Sequence, residues 1–289
     1  MVRLTRILCI TVALWLTMAA SCVQADPASD PFSSLRIMAT DDPPATYYDD
    51  NGHLTGMSVE LALAIEQNLG IGTPIEILPW ARVQELIANT PNIVIFTAGK
   101  TPDREKAGYQ FVGPIVTRRH ILYKLADSPT DAADLADVAR QHLAVGVMRG
   151  DWRADYLRAQ GVMVQDSLTH KRHLLMLLHN RLDLSTLADM QAVILLQMLH
   201  VPAHSIVPLL QFDQRGAYFM FSKGTSPALV ASWQEALTAL QKTDFFRDGC
   251  SRWTQRLGEP VAYTPDWGYF LISSAPAAAA LHESGPTRQ

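Results

Sequence analysis

Cysteine is nearly absent from this chain: three in 289 residues, two of which, Cys9 and Cys22, fall in or at the edge of an N-terminal leader. That leaves Cys250, which cannot staple a domain, so stability has to come from a packed core. No motif surrounds Cys250, and it reads as a partly buried, inert thiol. A surplus of one charge is also missing, because 24 basic and 28 acidic residues are interspersed for a net charge of −4. That balance excludes a nucleic-acid-binding surface. Long apolar runs are lacking too. Residues 7–18 are almost wholly apolar, about a dozen residues against the ~20 that a spanning helix needs, so the mature chain is expected to be soluble. Catalytic signatures fail as well, with no phosphate loop, no Gly-x-Ser-x-Gly elbow and no His-Glu-x-x-His helix. His170, His173 and His179 share one expected helix and His200 and His204 lie near the next. No carboxylate or thiol completes a metal set, so these histidines read as solvent-facing and no cofactor or metal is implied.

What is present begins with an export signal. Arg3 and Arg6 precede the apolar run, and Val23-Gln24-Ala25 is a small-x-small cleavage site before Asp26, which makes residues 1–25 a secretory signal peptide. Ala19-Ala20-Ser21-Cys22 loosely matches the box before a lipid-modified cysteine. Soluble cleavage is preferred, since Ala is a weak first residue for that box, and a lipid anchor at Cys22 stays as the alternative. The remaining chain, roughly 240 residues, is long enough for one large core or two lobes.

Short β-branched runs then alternate with helical patterns. Residues 35–40 and 75–78 read as strands around a helix over 58–69, where Leu61, Ile65 and Leu69 recur at i, i+4 and i+8, Ser58 is placed to cap the start and Gly70 to end it. A helix over 81–88 leads to a buried strand over 92–97. A second series follows: strand 142–147, helices 151–159 and 168–178, strand 183–187 and helix 190–199. Such alternation predicts parallel sheets covered by helices, an α/β fold.

Two stretches carry a resemblance: residues 43–61, from Pro43-Pro44 through a short hairpin into a helix, and the strand ending Thr97-Ala98-Gly99-Lys100-Thr101-Pro102-Asp103-Arg104. They resemble the opening of the bacterial periplasmic solute-binding proteins of the amino-acid-binding type, family 3. The resemblance implies a two-lobed type II periplasmic binding fold with two hinge crossings, here at 118–124, after Gly113-Pro114, and at 210–218. Lobe 1 would hold residues 26–118 and 216–270, lobe 2 residues 119–215, with a disordered tail over 271–289. The sequence Tyr218 to Gly224, followed by a helix over 229–240, is similar to the family's ending.

The same resemblance supplies candidate ligand contacts. Arg104 closes a Thr-x-x-Arg clamp, and a guanidinium matches a carboxylate with two parallel hydrogen bonds; backbone from Thr97 and Gly99 would supplement it. Trp80, in a Pro-Trp-Ala-Arg segment, is a ligand-facing wall or ordinary core. Asp42 stands where relatives carry an aromatic lid, and either favours a cationic group or closes an Asx turn ahead of Pro43. Tyr47 or Tyr48 offers an aromatic surface. Met148, Gly150 and Asp151 belong to a strand-to-helix turn whose N–H groups suit a carboxylate, with Asp151 more apt to cap the helix. Asn180-Arg181-Leu182-Asp183 corresponds to the family's Gly-Arg-x-Asp. The aspartate that binds the ligand ammonium in relatives falls on Ala188 here, so either Asp189 shifts into place or that contact is absent.

The function this implies is a periplasmic, non-enzymatic protein that closes on a small polar ligand, an amino acid or related compound, for an inner-membrane ABC permease or a sensor domain. A sensing module without transport and a dehydratase-like enzyme on the same fold are the alternatives.

Overall fold

The computed structural model describes residue 32 and residues 34–274. The expected signal peptide, its cleavage site and Cys22 lie outside the described residues, as do residues 275–289. Among the described residues no helix is long and apolar enough to cross a membrane.

Two parallel three-stranded sets flank one long antiparallel pair. The first set is β4 (Ile75–Ile77), β1 (Arg36–Ala39) and β5 (Ile93–Gly99); the second is β9 (Leu184–Ala188), β7 (Val145–Met148) and β8 (Val164–Ser167). Between them run β6 (Gln110–Leu125) and β10 (Ile206–Phe221), paired from Phe221↔Gln110 to Ile206↔Leu125. β5 joins this pair only at residues 217–221 of β10, and β9 joins it only at residues 120–123 of β6. Each parallel set therefore grips one end of the pair, and the molecule is a two-lobed α/β structure. Register shifts in β10 at Gln211/Asp213 and Ala217/Phe219 bracket the span between the lobes, where extra residues add local twist.

Each lobe has its own core. In the first, α1 (Met57–Leu69) and α2 (Trp80–Asn89) cover the sheet, and Met38, Val83, Ile87, Ile93, Ile95 and Met220 close one face. In the second, period-two alternation splits β6: Leu122 joins Val145, Val147 and Leu184, whereas Ile121 and Tyr123 face Leu174, Leu187 and Leu195. That lobe's helices are α4 (Leu135–Arg140), α5 (Trp152–Ala159), α6 (His170–Leu178) and α7 (Asp189–Met198). A short α3 (Pro102–Lys106) precedes β6, and α8 (Pro227–Leu240) returns to the first lobe, where Trp233 meets Phe219 and Phe221 edge-on.

Several expectations change. Ser58 does not cap α1. The first N–H groups of that helix donate to Pro44 O and Ala45 O instead, which brings Gly56 (φ 134°) so close that a Cβ would lie 2.1 Å from Ala45 O. Gly70 does end the helix in the left-handed conformation. Asn180 takes φ 54° where the resembling family has Gly, a conformation Asn tolerates. The helix α9 (Phe245–Leu257) and the hairpin β2 (Tyr47–Tyr48) and β3 (Leu54–Thr55) complete the first lobe.

Residues 271–274 of the expected tail are ordered, and the rest of it lies outside the described residues. A hairpin, β11 (Val261–Thr264) and β12 (Gly268–Leu271), pairs with β6 at Tyr269↔Val116, and the turn Ile272–Ser274 follows. Ser274 donates to Asp189 and its carbonyl accepts from Gln214. The two long strands are thus joined by a strap that ties the C-terminal segment to the second lobe.

Candidate functional site

A cavity of about 50 Å³ lies between the lobes where β5, β6 and β10 meet the first turn of α5. It gathers Asp42, Trp80, Thr97, Gly99, Arg104, Met148 and Asp151 from the expected site residues.

Arg104 reaches it from α3, whose start is capped by the Thr101 hydroxyl accepting from Arg104 N. One Arg104 N–H donates to Gly99 O at 2.7 Å and the guanidinium stands 6.0 Å from the Trp80 ring centre. Burial, with Arg215 nearby, lowers its pKa while Asp151 raises it. Among the described residues no carboxylate lies within ion-pair distance of Arg104. Thr97 holds φ 57°, a strained conformation for a β-branched residue, and its hydroxyl donates to Phe96 O. Gly99 leaves the floor open, since a Cβ there would meet Arg215 and Trp152 at 3.6–3.9 Å.

The lobes meet above this floor. Trp80 Nε1 donates to Gly150 O at 2.8 Å, so Gly150 closes the mouth and does not line the cavity. Asp42 forms no Asx turn. Its carboxylate accepts from Arg118 at 3.1–3.3 Å and from Gln191 of the second lobe at 2.6 Å. Asp151 both caps α5, accepting from Arg153 N at 2.9 Å, and holds the Arg153 guanidinium at 2.7–2.9 Å. Arg153 holds its carboxyl far below the usual carboxylate range against the opposing effect of burial.

Two expected residues stand elsewhere. Tyr47 is buried beneath Arg256 of α9, 5.2 Å from its ring centre, and does not line the cavity. Asp189 begins α7 but faces the strap and the crossing, accepting from Ser274 Oγ and from Arg119 Nε at 3.4 Å. Along β6, Arg119 shares the face of Ile121 while Arg118 and His120 take the cavity face, and period two alone separates them.

Sequence reasoning missed Arg118, His120, Trp152, Arg153, His170 and Arg215, which line the same cavity. The histidines are the clearest correction: His170 and His173 are buried in α6. Arg153 Nη2 lies 3.2 Å from His170 Nε2, His170 Nδ1 lies 3.2 Å from His173 Nε2, and His173 Nδ1 lies 2.6 Å from Ser185 Oγ. A guanidinium can only donate, so His170 Nε2 accepts, its Nδ1–H donates to His173 Nε2, and His173 Nδ1–H donates to Ser185. Both rings are neutral, as their pKa shifts require: burial first, then neighbouring positive charge, pushes His170 down to about 4 and His173 well below 6.5. His120 is lowered likewise by burial and by Arg153 and Arg118. Arg215 lies 3.6 Å from the Trp152 ring centre and pairs with Asp213. Asp42, Asp151 and Asp213 thus each hold an arginine, and Arg104 is the lining cation without a carboxylate among the described residues.

The family model of bacterial extracellular solute-binding proteins, family 3, matches residues 35–256. No curated protein matches the chain. Solved structures of similar fold include a histidine kinase sensor domain with similarity to periplasmic binding proteins (21% identity, 76% of this chain and 96% of that chain, TM-score 0.68). An ancestral arginine-binding protein bound to arginine is similar at 18% identity, covering 76% and 97%, with TM-score 0.66. The substrate-binding protein of an amino acid ABC transporter is similar at 17% identity, covering 76% and 99%, with TM-score 0.65.

Proposed function

Because the chain belongs to family 3 of the bacterial extracellular solute-binding proteins, we propose that it captures a small carboxylate-bearing solute, an amino acid or a related acid, in the periplasm. It does so by closing its two lobes over the cavity. The observation that carries this reading is Arg104, a half-buried guanidinium with one N–H donor engaged by Gly99 O and no carboxylate partner among the described residues. A bidentate carboxylate supplies the missing charge and occupies the free donors.

Closure is a two-state equilibrium that ligand shifts by binding the closed form better. The cross-lobe bonds from Trp80 to Gly150 and from Gln191 to Asp42 are made in the closed form, and the two long strands between the lobes carry the bend. The closed form is the one that docks on its membrane partner, an ABC permease or a sensor domain. A thermal-shift screen of the purified mature protein tests this reading. A carboxylate at 100 times its dissociation constant adds about 2.7 kcal/mol of stability, which raises the melting temperature by about 5–11 °C in a protein of this size. A screen in which polyamines shift the transition and no carboxylate does would overturn it.

A further inference from the structure

We propose that the ligand is a compact organic acid without an ammonium group, a monocarboxylate of the size of lactate or propionate. This deepens the reading above and rests on it. Charge is the first argument. Both carboxylates lining the cavity already have each oxygen engaged and their charge answered by an arginine: Asp42 by Arg118, with Gln191, and Asp151 by Arg153. Asp189 is turned to the strap and Arg119. Four arginines line the cavity, Arg104, Arg118, Arg153 and Arg215, and Asp42, Asp151 and Asp213 answer all but Arg104. A cationic group placed among them meets like charge, whereas a carboxylate on Arg104 brings the balance closer to neutral.

Size and polarity point the same way. A cavity of about 50 Å³ holds only a few waters, which favours a compact acid over one with a long side chain. The remaining polar offer is uncharged. His120 is buried, lines the cavity and has no partner at Nδ1 among the described residues. A neutral imidazole pairs with a hydroxyl or keto oxygen and contributes no negative charge for an ammonium to answer. Trp80 and Trp152 supply the apolar walls.

Calorimetric titration with lactate, propionate and alanine tests the inference directly, because the three share a carboxylate and a three-carbon frame and differ at the α-position. Lactate and propionate should bind, and alanine should be weaker by on the order of 10- to 100-fold, the effect of leaving a charged group unpaired. Arg104→Ala should abolish the heats of the two acids. Arg153→Ala frees the Asp151 carboxylate and should narrow the gap in favour of alanine; if that variant melts too low to use, the wild-type ratio decides alone. Alanine binding as tightly as lactate, with the heat lost in Arg104→Ala, would overturn this inference and leave the solute-binding reading in place. Absence of heat with all three also overturns it, and the solute-binding reading then stands or falls on larger carboxylates in the thermal-shift screen.

Discussion

Replacing Asp42 by asparagine keeps the side chain's shape and removes its charge. Asp42 sits in the turn after β1, Arg118 in the crossing strand and Gln191 in α7 of the second lobe, so a single carboxylate touches all three parts of the molecule. Both members of the Asp42–Arg118 pair are 9% exposed. Stranding one charge of a buried pair costs about 3–5 kcal/mol. Asparagine retains one acceptor oxygen, which like Asp42 Oδ1 can accept from both Arg118 and Gln191, and this puts the expected loss at the lower end, about 3 kcal/mol. At about 2–4 °C per kcal/mol for a protein of this size, scanning calorimetry should find the Asp42→Asn transition 6–12 °C below wild type. Arg118→Met should lose a similar amount, and the double variant much less than the sum, because the second substitution removes the charge that the first one stranded. A melting point for Asp42→Asn within about 2 °C of wild type would refute the argument that this pair ties the turn after β1 to the crossing strand.

Acid should destabilise the protein in two steps. The folded state holds His170 down at about 4 against an ordinary 6.5, so its contribution is fully present above pH 6.5 and is lost as pH falls towards 4; Asp42 and Asp151 are held below their ordinary values and lose theirs only below that. Melting curves from pH 7 downward check this, with His170→Asn expected to reduce the upper step, to which His120 and His173 also contribute; an unchanged melting temperature down to about pH 4.5 would contradict it. Gly56→Ala should cost more than about 2 kcal/mol in urea unfolding, because its Cβ would stand 2.1 Å from Ala45 O at a positive φ. Trp80→Phe keeps the wall and removes the Nε1 bond to Gly150 O; it should weaken solute binding by about 1 kcal/mol without lowering the melting point of the free protein, and equal affinity would show that this bond does not serve closure.

Local features of the chain carried much of this architecture. Alternating β-branched and helical runs gave the βαβ pattern, and the Pro-Pro turn, the Pro79-Trp80 segment, the strand ending at Gly99 and the turn at Gly150 brought seven of the named residues to one cavity. The remaining part is tertiary. Arg118 and Arg153 look like any charged surface residue in sequence, because nothing local distinguishes a solvated arginine from one paired across a fold. Asp42 and Gln191 are 149 positions apart. His170 and His173 share a helix face with Leu174 and Leu177, so their i, i+3 spacing was compatible with burial, but their partners Arg153 and Ser185 come from other elements. Asp189 was drawn away by Ser274, at the end of a hairpin that no strong period announced.

The most direct test of the central claim is the affinity of Arg104→Ala for whichever carboxylate the wild-type protein binds. The account predicts a loss on the order of 2–5 kcal/mol by titration calorimetry, partial recovery in Arg104→Lys because an ammonium lacks the planar fork, and circular-dichroism melts close to wild type. Wild-type affinity in a folded Arg104→Ala protein would contradict it, since the cavity's other arginines are already bound to aspartates.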